Sequence, residues 1–100
     1  MVRGTTPTFE LTVEGDIDLT QMDNVYATFI QDCYKVTKTG DDLVISAKEV
    51  DVYMTQEETL KFKKGTLLVQ LNWTFQNGRR ACTNILKVNV SENLEEKVLA

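Results

Sequence analysis

One hundred residues with 15 acidic and 11 basic side chains give a net charge of −4, and there is no histidine. Basic residues never exceed two in a row, at Lys63-Lys64 and Arg79-Arg80, so no positive stripe is offered to a phosphate backbone. No stretch approaches the roughly 20 apolar residues of a membrane span, so neither nucleic acid nor membrane is an expected partner. A hydrophobic fraction of 42% with one Pro and five Gly suits a single folded domain over 1–100.

The chain opens with Met-Val-Arg-Gly-Thr-Thr-Pro, residues 1–7, an extended arm ahead of the first strand in which Pro7 suits a sheet edge. Phe9, Leu11 and Val13 alternate with Thr8, Glu10, Thr12 and Glu14, the period of a half-buried strand. Gly15-Asp16 turns the chain. Val25, Ala27 and Phe29 alternate with Tyr26, Thr28 and Ile30, so the second strand is apolar on both sides, as a central strand would be. Tyr34 to Thr37, Leu43 to Ile45 and Val50 to Met54 read as three more strands.

Thr55 followed by Glu58 has the spacing of a capping box. It predicts one or two helical turns over Gln56 to Phe62, with Gly65 as a left-handed stop and with Leu60 and Phe62 closing one end of the core. Leu67, Val69, Leu71, Trp73 and Phe75 then alternate up to Asn77-Gly78, the preferred pair of a two-residue hairpin turn. That turn would set Gln76 opposite Arg79, Phe75 opposite Arg80, Trp73 opposite Cys82 and Val69 opposite Leu86. Asn84 breaks the pattern on the return strand and marks a bulge or a polar contact. Residues 91–100 form a tail or a short helix capped by Ser91. The sum is an all-β, antiparallel two-sheet sandwich, immunoglobulin-like, of about seven strands with one short helical turn.

The reactive inventory is small. Without histidine the commonest general base and zinc ligand are missing. Cys33 and Cys82 are expected to be reduced, packed thiols. Glu14, Asp16 and Asp18 are better explained as a solvated turn than as a calcium loop. No catalytic, cofactor-binding or metal-binding residue is assigned, and no enzyme is expected. Trp73 and Phe75 are in phase with the apolar set and belong to the core. Tyr26 and Tyr53 point the other way and are candidate interface aromatics; Arg79 and Arg80 at the hairpin tip offer guanidinium forks.

The stretches Met1 to Phe9 and Val52 to Phe62 carry a resemblance. They are similar to small proteins encoded in the tail-gene regions of phages and prophages of Gram-positive bacteria, which begin Met-aliphatic-Arg-Gly-Thr-Thr-Pro-Thr and carry Leu/Met-Thr-Gln-Glu-Glu-Thr near the middle. The layout also resembles the N-terminal β-sandwich of upper-baseplate tail proteins. The chain departs from the first group at Thr8-Phe9-Glu10, where that group has a Thr-His-Thr type pattern. The resemblance implies a tail or baseplate structural subunit that assembles with itself or with other phage tail proteins, as a homo-oligomer or part of a larger assembly. It implies assembly in the host cytoplasm and then residence in the virion, with no signal peptide. The interface would use Arg3 and Pro7 of the arm, Tyr26, Tyr53, Arg79 and Arg80. A carbohydrate- or cell-surface-binding sandwich is the alternative.

Overall fold

A computed structural model describes residues 1–95. Eight strands form two antiparallel sheets: β1 (Thr8–Thr12), β2 (Asn24–Gln31), β3 (Tyr34–Thr39), β4 (Leu43–Ile45), β5 (Glu49–Tyr53), β6 (Gly65–Thr74), β7 (Arg80–Cys82) and β8 (Leu86–Val90). One sheet has the order β1-β5-β4; the other runs β3-β2-β6, with β7 and β8 both on the far side of β6. Lettered by the immunoglobulin convention, the first sheet is B-E-D and the second C′-C-F-G, with G split in two. The expected all-β sandwich is therefore present, and β2 is central in its sheet, as its two apolar faces require.

The core lies between the sheets, where alternate residues of each strand point inward. Val25, Ala27 and Phe29 of β2 face Val50 and Val52 of β5, with Leu67, Val69, Leu71 and Trp73 of β6 beside them. Phe9 meets the Phe29 ring at 5.2 Å between centroids, within the range of a favourable aromatic pair.

The helical turn α1 (Gln56–Leu60) begins with the predicted capping box. The Thr55 hydroxyl accepts from the Glu58 N–H, and the Glu58 carboxylate accepts from the Thr55 N–H. The helix stops two residues short of Phe62, which is fully buried as the expected plug. Gly65 does not end it: at φ 136 it starts β6 instead.

The hairpin differs from the expectation by one residue. Gly78 has positive φ (85) and Asn77 does not, whereas a type I′ turn needs both. The loop is three residues, Gln76 to Gly78, closed by the Phe75 N–H donating to the Arg79 carbonyl at 2.8 Å. Trp73 therefore faces Ala81 and Thr74 faces Arg80, and Cys82 turns to the outer face. The break between β7 and β8 adds the compensating residue, so Val69 does face Leu86. Thr83 holds that break: its hydroxyl accepts from the Leu71 N–H at 3.1 Å. Both cysteines are exposed and free, against the expectation of packed thiols. Residues 91–95 form no helix, and the remainder of the expected tail or helix lies outside the described residues.

Candidate assembly surfaces

The two stretches that carry the resemblance fold into one corner. The Arg3 guanidinium donates through Nη2 to the Leu60 carbonyl at 2.8 Å and through Nε to the Phe62 carbonyl. Leu60 is the last residue of α1, which has no basic residue in its own last turn, and Phe62 lies just past its C-cap. Nη1 lies 3.3 Å from the Glu92 carboxylate. Gly4, at φ 76, lies against Leu60: a Cβ there would come within 3.0 Å of Leu60 Cδ2. The Thr59 hydroxyl donates to the Thr5 carbonyl at 2.8 Å, and the Met54 N–H to the Pro7 carbonyl at 3.1 Å. Val2 forms a parallel bridge with Ser91, and the Met1 ammonium donates to the Asn89 carbonyl at 2.8 Å. Residues 1–7, expected as an arm, thus lie along their own chain, and Arg3 and Pro7 act within it.

Beneath this corner sits a small charged cluster. Lys38 and Glu58 pair at 2.7 Å with little exposure. Burial pushes the Glu58 carboxyl up, but the Lys38 hydrogen bond, the Thr55 N–H and the Lys38 charge outweigh it and hold Glu58 below the usual glutamate range. Burial, and then the Glu58 charge, push the Tyr34 hydroxyl up.

Tyr26 and Arg80 come together on the outer face of the larger sheet. They line a shallow groove of about 340 Å³ with Thr28, Lys35, Thr37 and Asn72. Arg80 donates Nε and Nη2 to Asn72 Oδ1 at 3.1 and 2.9 Å, and Asn72 is the register partner of Tyr26. Arg79 stays at the exposed hairpin tip. Tyr53, 56% exposed, is on the outer face of the other sheet opposite Thr8, so the two tyrosines belong to different surfaces.

Alternation also sorts the charges. The outward residues of β1 and β5 are Thr8, Glu10, Thr12, Glu49, Asp51 and Tyr53, with Glu10 directly opposite Asp51. The Asp51 charge, then burial, then the Glu10 charge push the Glu49 carboxyl up. On the larger sheet Lys35, Arg80 and Lys87 point outward, around exposed Ile30 and Ile85. Of these charged residues the sequence singles out Arg80 alone as a candidate, although the strand parity of the others is readable in it. Asp18 of the acidic turn accepts from the Thr20 N–H at 3.0 Å as a cap. Among the described residues, no group of three or more His, Cys, Asp or Glu is gathered to hold a metal ion, and no helix is long and apolar enough to cross a membrane.

Compared with protein-family models, with curated proteins and with solved structures, the chain matches none. Its class is defined by architecture: an immunoglobulin-like β-sandwich with two exposed sheet faces.

Proposed function

We propose that this chain is a structural subunit that works by protein–protein assembly, of the kind built into phage or prophage tails and baseplates, with itself or other tail proteins as partners. The observation that carries the reading is the corner itself. The two stretches that resemble tail-region proteins are hydrogen-bonded to each other through Arg3, Thr5 and Pro7. What they share with that group is thus a piece of scaffold rather than a reaction centre. Assembly in the host cytoplasm, residence in the virion and the lack of catalysis belong to the same reading.

Size-exclusion chromatography with light scattering, from micromolar to near-millimolar protein, tests it. A mass that grows to a defined oligomer or polymer supports the reading. A single chain at every concentration, alone and mixed with tail proteins of the same phage, overturns it.

One observation favours a second reading. Tyr26 sits beside Asn72, Arg80 and three threonines in the shallow groove, where a sugar ring could stack and be hydrogen-bonded. A glycan array showing saturable binding that Tyr26→Ala removes would support it, and binding to no glycan would dispose of it.

A further inference from the structure

We propose that copies of this chain stack face to back, the acidic outer face of the β1-β5-β4 sheet of one copy seated on the basic outer face of the larger sheet of the next. This rests on the assembly reading and names its geometry.

The argument begins from charge. Glu10, Glu49 and Asp51 give the small sheet three outward carboxylates, and no outward residue of β1, β4 or β5 is basic. Lys48, next in the chain to Glu49, turns its ammonium to the Gly15 carbonyl. The larger sheet presents Lys35, Arg80 and Lys87, with no outward acid on β2, β3, β6, β7 or β8. Among the described residues, none of these six is in an ion pair within its own chain.

A like-charge pair directly across two strands, as Glu10 and Asp51 are, destabilises an isolated sheet. Such a pair makes sense on a face that receives cations from outside. Apolar side chains accompany the charges on each side: Val44 and Tyr53 on the acidic face, 54% and 56% exposed, and Ile30 and Ile85 on the basic one, 38% and 57% exposed.

Complementarity selects the mode. Two acidic faces, or two basic faces, would oppose like charges, so a two-fold pairing through either face is disfavoured. Acid on base joins different surfaces and leaves one free face of each sign at the ends. Such a contact repeats, closing into a ring or growing as a filament. β1 and β5 have five residues each and β4 three, so at about 3.3 Å rise and about 4.8 Å spacing the small sheet spans at most roughly 17 by 10 Å, well below a standard interface. Each contact is therefore weak, and the mass should grow with protein concentration and fall with salt as the charges are screened.

Two variants test the geometry. Glu10→Lys with Glu49→Lys takes the acidic face from −3 to +1. Lys35→Glu with Lys87→Glu takes the basic face from +3 to −1 and leaves the Arg80–Asn72 bonds intact. Each keeps one native face. In low salt at near-millimolar protein, the wild type should be oligomeric and each variant a single chain. A 1:1 mixture of the two variants should associate again, because the native contact can form between them and their reversed faces are also of opposite sign. Circular dichroism and thermal melting confirm that both variants fold. A wild type that associates, with variants that associate equally well or a mixture that stays monomeric, overturns the stacking and leaves the assembly reading standing. A wild type that is monomeric in low salt at near-millimolar concentration overturns stacking and self-assembly together.

Discussion

The guanidinium of Arg3 lies 2.8 Å from the carbonyl oxygen of Leu60, joining residues 57 positions apart in the chain. This bond closes α1 from outside. A five-residue helix leaves most of its terminal carbonyls without intrahelical partners, and a charged donor satisfies them better than water does. Arg3→Ala should therefore destabilise the protein by about 2 kcal/mol, the usual worth of hydrogen bonds to a charged group. Arg3→Lys should recover roughly half, because an ammonium lacks the planar fork that reaches two carbonyls. Urea unfolding of the three proteins checks this. Equal midpoints would mean that water caps the helix as well as Arg3 does.

The shifted hairpin makes a chemical prediction. With the register moved by one residue near its tip, Cys82 is on the outer face and exposed, as is Cys33 in the β2–β3 turn. In the folded protein both thiols should react with Ellman's reagent about as fast as in urea. The Cys33→Ser variant isolates Cys82. A Cys82 that reacts only after unfolding would restore the two-residue turn. Gly78→Ala tests the turn from the other side: holding alanine at positive φ should cost about 1–2 kcal/mol.

The alternation of Phe9-Leu11-Val13, Val25-Ala27-Phe29 and Leu67 to Trp73 was legible because strand side chains alternate faces whatever their partner. The capping box was legible because Thr55 and Glu58 are three residues apart. Arg3 was not: it carries no local sign that it would close a helix more than fifty residues on. Nor was the hairpin register. Asn-Gly serves a two-residue turn, and Gly78 alone serves a three-residue loop, and only pairing with the strand distinguishes them. The acidic face lay between these cases. Glu10 and Asp51 are plainly outward residues, but nothing in the sequence says that β1 pairs with β5 and sets them opposite each other.

Trp73 is 3% exposed on the inner face, near the C-terminal end of β6. Trp73→Ala should cost about 3–5 kcal/mol, as large-to-small core changes do. Its indole Nε1 is buried with no acceptor, so little hydrogen bonding is lost with the nitrogen. Trp73→Phe should thus cost under about 1.5 kcal/mol. A phenylalanine variant as unstable as the alanine one, by guanidinium unfolding, would show that Nε1 has a partner after all.

Two glutamates should bend the pH dependence of stability in opposite directions. Glu58 has its carboxyl lowered in the fold by Lys38 and Thr55, after burial has pushed it up. Its stabilisation is present above the unfolded glutamate pKa and lost as pH falls through the lower folded value. Glu58→Gln should therefore destabilise by on the order of 1 kcal/mol near neutral pH, with the gap closing in acid. Glu49 has its carboxyl raised, first by the Asp51 charge. Its ionised form is disfavoured in the fold, so stability is gained as pH falls through its raised value. Glu49→Gln should be more stable than the wild type near neutral pH, and that advantage should vanish once both states are protonated. Thermal melts of the wild type and both variants from about pH 7 to about pH 3 check this, the unfolded glutamate pKa being about 4.3. The Glu49 arm is best run in dilute protein. If copies stack through the acidic face, concentration would add a contact that favours ionised Glu49 and would mask the repulsion that the single chain experiences.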